Sequence, residues 1–331
     1  MRRNFFIFLT KEENLKVCMK HLLYGADVSQ SDQRSLANVK AGDLALIWVP
    51  GTKLLYGIFE ILGRVFYDET EIGWDKTWPY RCCLRLWDKW LRVVRDEAKA
   101  RLMSFVSKEL TTLTDLTNLG GFIHTLLYDE GSKLFRFFIS NSNLVEPNRA
   151  FPDFGTRPIT PVPAPVEFST RLSSSGMPEY VLESYLLQDL NKLEELVGSG
   201  VTEMYNMLFG YQSRYLDIMT VHRDDNGDMI KATIVELKAK PLDSTGFERA
   251  LDELTSYMFW TTDQIEKRRL LGDKESVFGV LLSPFEKSGG LASSFDARAE
   301  EYARQYGIDS SRIRWVGYEY TGKDLSLRII H

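Results

Sequence analysis

The chain is poor in cysteine, poor in histidine and short of positive charge. Its three cysteines, Cys18, Cys82 and Cys83, show no C-x-x-C spacing, and two of them are adjacent. That argues against zinc and against a disulfide framework. They read as reduced thiols, as expected of a cytoplasmic protein. No run of about 18 apolar residues occurs, so no membrane span is expected. The apolar run in MRRNFFIFLT is too short for a signal-peptide core and gives way to Lys11-Glu12-Glu13. A formal net charge of -5 argues against a protein coated in nucleic acid, though a local basic groove is compatible with it.

What is present is enough for more than one core. The 331 residues are 44% apolar and 12% aromatic, and this length favours two domains over one. Residues 146–178 hold seven of the eleven prolines and, at 173–176, a Ser/Gly run. Proline removes backbone donors and stiffens an extended path. The expected organisation is a domain over 1–145, a linker over 146–177 and a second domain over 178–331.

In the first part, NFFIFL (4–9), LALIWV (44–49), LLYGIFEILGRVFY (54–67, bent near Gly63), YRCCLRLW (80–87) and LFRFFI (134–139) read as strands. Residues 12–24 and 88–109 read as helices. The pattern predicts a small β-barrel with peripheral helices. In the second part a helix is expected over 178–196, then strands at 214–223 and 229–239, and a helix over 245–268. A strand at 276–284, a helix at 293–306 and a strand at 313–320 complete it. Strands interleaved with helices make the whole chain α+β, with an α/β/α core in the second domain.

The stretch KATIVELKAK (231–240) sets a chemical problem. Thr233, Ile234 and Val235 are β-branched and suit a buried strand, yet Glu236 and Lys238 follow on one face. Asn226-Gly227 is a strong signal for a two-residue hairpin turn. With that turn, Asp217 falls opposite Glu236, Ile218 opposite Val235 and Leu216 opposite Leu237. One face is then apolar and the other carries Asp217, Glu236 and Lys238. Opposed side chains lie roughly 4.5–5.5 Å apart at Cβ. Two carboxylates that close repel unless a cation or a proton separates them. Hard oxygen ligands that leave waters in place suit Mg²⁺ or Mn²⁺. Such a metal activates water and polarises a phosphoryl oxygen, and an adjacent ammonium stabilises the developing charge. The competing reading is a surface ion pair between Glu236 and Lys238.

Helix, strand with Asp, turn, strand ending in E-x-K and helix together resemble the core of the PD-(D/E)xK nucleases. More narrowly, residues 178–320 resemble the nuclease domain of NucS/EndoMS-type endonucleases. The motifs are Glu183 in YVLESYL, Arg214 and Asp217 in SRYLDIM, Val235-Glu236-Leu237-Lys238, and Glu253-Leu254-Thr255-Ser256-Tyr257. Arg214 stands one residue further from the Asp than in that family, and Glu253 stands where Gln is usual. The resemblance implies a restriction-endonuclease-like fold and metal-dependent DNA cleavage. Asp217 and Glu236 would be the metal ligands, Lys238 the catalytic lysine and Glu183 an accessory acid. Arg214, Glu253 and Tyr257 would handle substrate.

The first domain resembles EVE/YTH-like members of the PUA-like fold. The resemblance rests on the Gly42-Asp43 turn, the strand at Gly57 and Pro79-Tyr80-Arg81. It implies a pocket for a modified base, with Trp48, Trp74 and Trp78 as candidate walls. Arg64, Lys76, Arg81 and Arg85 are candidates for phosphate contact or for a solvated face. The leading expectation is a Mg²⁺-dependent (or Mn²⁺-dependent) restriction or defence endonuclease acting on DNA, with a homodimer as one arrangement. The alternatives are a mismatch or branched-DNA repair endonuclease, and a non-cutting nucleic-acid-binding platform.

Overall fold

The structure is a computed structural model that describes residues 2–27, 35–63, 65–68, 70–87, 91–113, 115–117, 119, 123–145, 179–209, 215–267, 273, 276–285, 289–320 and 325–331. The chain forms two compact units, Arg2–Glu167 and Phe168–His331. The division falls within the proline-rich stretch, but the expected linker itself lies outside the described residues. Among the described residues no helix is long and apolar enough to cross a membrane.

Among the described residues the N-terminal unit contains nine strands: β1 (Phe5–Leu9), β2 (Leu23–Ala26), β3 (Leu44–Val49), β4 (Leu54–Ile61), β5 (Phe66–Tyr67), β6 (Tyr80–Leu86), β7 (Leu91–Val94), β8 (Ile123–Leu126) and β9 (Ser142–Val145). Its helices are α1 (Glu12–His21), α2 (Lys99–Glu109) and α3 (Tyr128–Ser140). The sheet runs β2-β6-β4-β3-β1-β8 and branches at β4, which also pairs with β7, itself paired with β9. It is a curled half-barrel, and no pairing among the described residues closes it into the expected barrel. Leu102, Val106, Leu134, Phe135 and Phe138 of α2 and α3 pack on Phe5, Ile7, Leu46 and Trp48. Gly131 makes this possible, since a Cβ there would stand 2.4 Å from Phe5.

Residues 134–139, expected as a strand, are helical. Glu130, Gly131, Leu134, Phe135 and Phe138 are buried at spacings of one, three and four. That amphipathic face overrides the strand preference of phenylalanine. Residues 91–94, expected in a helix, form β7 instead.

The C-terminal unit opens with two helices rather than one, α4 (Glu179–Gln188) and α5 (Leu190–Val197). Asp189 breaks them and caps α5 by accepting from the Lys192 backbone N–H at 3.2 Å. Strands β10 (Glu203–Phe209), β11 (Tyr215–Arg223), β12 (Met229–Leu237), β13 (Val277–Pro284), β14 (Ile313–Tyr320) and β15 (Leu325–Ile329) lie side by side in sequence order. The pairs β10–β11, β11–β12 and β14–β15 are antiparallel. The pairs β12–β13 and β13–β14 are parallel, with α6 (Ser244–Glu266) and α7 (Phe295–Gln305) as crossovers. Gly279 lets α6 lie close, because a Cβ there would meet Met258 Sδ at 2.5 Å.

The central hairpin has the expected register but not the expected turn. Ile218 pairs with Val235 and Met219 with Ile234, continuing to His222 with Lys231. Near the tip, Asp224 N–H donates to the Asp228 carbonyl, so three residues rather than two make the loop. Gly227 takes the positive φ of 88° that such a loop requires. The ladder shifts between His222 and Arg223, leaving Ile230 as an extra residue. The longer loop and the bulge cancel. Both faces of this hairpin are covered, since Met219, Val221, Ala232 and Ile234 are as buried as Leu216, Ile218, Val235 and Leu237. The face that carries Asp217 and Glu236 is thus packed along most of its length as well as the apolar one.

Candidate functional site

At the end of the hairpin distant from its loop, the ladder stops at Ile218 with Val235, and Asp217 and Glu236 stand one residue beyond it on their strands. Asp217 Oδ2 accepts the Leu237 N–H at 2.8 Å, so the carboxylate joins the strands where the ladder stops. Lys238 N–H donates to the Leu282 carbonyl at 2.8 Å, fixing this segment against β13. Pro241 then stops any further ladder bonding. Asp243 caps α6 by accepting from Gly246 N–H at 2.7 Å. The helix returns over the Ile234–Glu236 face and brings Glu253 to the same place.

Lys238 Nζ donates to Glu236 Oε1 at 2.6 Å and to Glu253 Oε2 at 2.8 Å. Arg249 Nε donates to Glu253 Oε1 at 3.0 Å, one helical turn away. Asp217, Glu236 and Glu253 are all buried. Burial first, and then the Asp217 charge, push the Glu236 carboxyl well above its ordinary range, with Lys238 opposing. Burial pulls Lys238 down, but the Glu236 charge and the hydrogen bonds to both acids outweigh it and hold the ammonium above its usual value. Burial raises Glu253, yet Lys238 and Arg249 together hold it below its usual value. Tyr257, another turn along α6, is buried and donates its hydroxyl to the Tyr215 carbonyl at 3.1 Å, bracing the start of β11.

Glu183 is placed differently. It is fully buried on α4 and accepts Asn206 Nδ2 at 2.9 Å. Asn206 pairs with Ile218, so it belongs to the sheet face away from Asp217 and Glu236. The structure does not bring Glu183 to the carboxylate pair, which corrects the role that resemblance implied. Arg214 lies outside the described residues.

Among the described residues no group of three or more His, Cys, Asp and Glu side chains is arranged to hold a metal. Asp217 and Glu236 nevertheless suit a hard divalent cation. They are two adjacent buried carboxylates, and a dication would offset first the cost of burying the Glu236 charge and then its repulsion from Asp217. The remaining coordination positions would be water, as Mg²⁺ prefers.

The N-terminal unit has a cleft of about 300 Å³ where β1 runs into α1. Trp74, Trp78, Asn14, Gly25, Lys11 and Asp75 border it. Asp75 is the hub. It accepts from Lys11 Nζ at 2.7 Å, Asn14 Nδ2 at 2.7 Å and Trp78 Nε1 at 2.9 Å, while its own N–H donates to Asn14 Oδ1 at 3.0 Å. The bonds from Lys11 and Asn14 hold its carboxyl well below the ordinary range. Gly25 leaves room for the Trp74 ring and the Trp78 Cβ, since a Cβ of its own would stand 2.8 Å from the first and 2.7 Å from the second. Burial pushes the Cys18 thiol at the cleft up to about 12, a value that leaves it unreactive.

Trp48 does not join the other two tryptophans. It is fully buried in the core with Leu46 and Leu55, and its indole N–H has no hydrogen-bond partner among the described residues. Arg81 is also interior. It donates to the Trp78 carbonyl at 3.0 Å and to Asp68 Oδ2 at 2.6 Å, and lies 5.1 Å from the Trp74 ring centroid. It therefore shapes the tryptophan loop and is closed to phosphate. Lys76 pairs with Asp27 and Arg85 with Glu60, and Arg64 lies outside the described residues. The sequence reading missed Asn14 and Asp75, whose contact spans 61 residues of chain.

No protein-family model and no curated protein matches the chain. Among solved structures it is similar to the YTH domain-containing protein mmi1 in complex with RNA, at 17% identity and a TM-score of 0.32. That match covers 41% of this chain and 82% of that one. It is also similar to the YTH domain of the Zygosaccharomyces rouxii MRB1 protein in complex with N6-methyladenosine RNA. Here the identity is 12% and the TM-score 0.32, covering 41% and 87%. A likeness this distant says nothing about what this chain binds.

Proposed function

We propose that the protein is a metal-dependent DNA endonuclease whose C-terminal unit hydrolyses phosphodiester bonds and whose N-terminal unit selects the substrate through a base held in the cleft of Trp74 and Trp78. The observation that carries the cleavage reading is the meeting of Asp217, Glu236 and Lys238 at one end of the β11–β12 hairpin. The strand order, with α6 crossing between parallel β12 and β13, agrees with a restriction-endonuclease-like core. Asp217 and Glu236 would hold Mg²⁺ or Mn²⁺, which supplies an activated water and polarises the phosphoryl oxygen. Lys238 orients that water or neutralises charge developing on the phosphate. In the cleft, the half-buried Trp74 indole would supply the stacking face, with Trp78, buried under the Lys76 ammonium, as the wall behind it and the Asn14 amide as a polar edge.

The test is incubation with Mg²⁺ or Mn²⁺ on plain, mismatched, branched, single-stranded and base-modified DNA, with RNA alongside. Cleavage of one DNA class, abolished by EDTA, supports the reading, and the preferred class separates a restriction enzyme from a repair enzyme. A second reading, a non-cutting nucleic-acid platform, is favoured by the lack of a third metal-holding side chain among the described residues. Tight DNA binding without cleavage under any metal would decide for it.

A further inference from the structure

Lys238 is gripped by two acids. An ammonium has three N–H donors. One goes to Glu236 at 2.6 Å and one to Glu253 at 2.8 Å. Glu253 spends its other oxygen on Arg249 at 3.0 Å. Its carboxylate is 9% exposed and rides on a 23-residue helix, while Arg249 is 79% exposed. A carboxylate can meet both cations, one on each oxygen. An amide of the same shape has a single acceptor oxygen and no charge.

A dication held by Asp217 and Glu236 would compete with the ammonium for Glu236 and repel it at short range. With Glu236 as its sole anchor, the Lys238 side chain, already 20% exposed, would turn toward water. Glu253 supplies a second anchor on a separate, rigid element. We infer that Glu253 is a positioning residue: it keeps Lys238 Nζ beside the reacting phosphate once a metal occupies Glu236, and Arg249 keeps Glu253 aimed. This inference rests on the nuclease reading above.

The test is Glu253→Gln in the full chain, with Arg249→Gln and Glu253→Asp beside it. In Glu253→Gln, kcat is expected to fall about 10- to 100-fold, the usual loss when a partner that orients a metal-site group is removed. KM should stay within about twofold. Manganese affinity, measured by calorimetry without DNA, should weaken several-fold, because Lys238 then leans on Glu236 alone and competes with the ion. Arg249→Gln should shift kcat the same way by less, and Glu253→Asp, which keeps the charge, should recover part of the loss. A folded Glu253→Gln variant with wild-type kcat and wild-type Mn²⁺ affinity overturns the inference. So does a raised KM at unchanged kcat, which would make Glu253 a plain substrate contact. Should Glu253→Gln fail to fold, the exposed Arg249→Gln variant decides: lower kcat at constant KM supports the inference, and no change overturns it. A wild-type protein that neither cuts nor binds Mn²⁺ overturns the nuclease reading and this inference together. A wild type that cuts beside an unaltered Glu253→Gln overturns this inference alone.

Discussion

The two candidate sites are held in opposite ways. The acid pair of the C-terminal unit stands on adjacent strands, buried, with its carboxylates fixed by a backbone N–H and by Lys238. The tryptophan cleft of the N-terminal unit is assembled from a helix start, a short strand and the 74–78 loop, joined through Asp75. Strand-borne groups hold a reacting geometry to within fractions of an ångström, whereas loop-borne rings suit a ligand that must be gripped and released. Among the described residues each unit also keeps one buried carboxyl above its ordinary range, Asp43 in one and Glu236 in the other, and both shifts begin with burial. Asp43 is stapled to two backbone N–H groups and serves the fold. Glu236 faces a second acid and a lysine, an arrangement that a folding role alone does not call for.

The sharpest way to break this contrast is Glu236→Gln. Cleavage should drop by at least about 100-fold, while the melting temperature at neutral pH holds or rises, because the charge that burial and Asp217 disfavour is gone. Loss of stability together with activity would make Glu236 a structural acid like Asp43. Lys238→Ala should behave differently: it strips the counter-charge from two buried carboxylates and should lower the melting temperature as well as the activity.

The next largest effect separates the tryptophans. Trp48→Ala should cost roughly 3–5 kcal/mol of stability as a core truncation. Trp74→Ala, which removes a half-buried ring packed on Leu23, Phe66 and Cys83, should lower the melting temperature less than Trp48→Ala and weaken nucleic-acid binding by about 5- to 150-fold, the equivalent of one lost stacking face. Equal affinity in a folded Trp74→Ala variant would remove the cleft from the proposal.

The smallest effect is a slope. The Asp43 carboxyl is pushed up to about 7, chiefly by burial, against two backbone hydrogen bonds. A carboxyl raised in the fold gives stability that is complete below its unfolded value near 4 and is lost as pH climbs through 7. Thermal melts of the protein should therefore show the N-terminal transition falling by several degrees between pH 5 and pH 8, and Asp43→Asn should flatten that slope. A wild-type melt independent of pH over that range would contradict it.

Much of the C-terminal site was legible in the sequence because strands impose a period of two. The apolar set Leu216, Ile218, Val235 and Leu237 fixes the register, so Asp217 and Glu236 meet even though the turn has three residues instead of two. Glu183 was misplaced because helical periodicity says which residues share a face, not which side of a sheet that face covers. Strands β2, β7, β8, β9, β10 and β15 went unread, being short or lacking a clean alternation. The cleft was legible only in part. Trp74 and Trp78 stand out in a polar loop, but nothing local ties Asp75 to Asn14, and Trp48 in LALIWV carries no mark distinguishing core from wall. Residues 134–139 failed for a related reason, since their strand preference is satisfied locally while their burial is decided by Phe5 and its neighbours.

The bulge at Ile230 carries a practical corollary. The ladder already absorbs one surplus residue between the loop and the acids, and the cross-strand apolar pairs re-establish register beyond it. Asp224–Asp228 lies about six strand residues from Asp217, on the order of 20 Å away. The hairpin tip is thus a natural handle: a short epitope or fluorophore-bearing insert placed there would lengthen the chain without retiming the strands, and would report on the unit from its inert end.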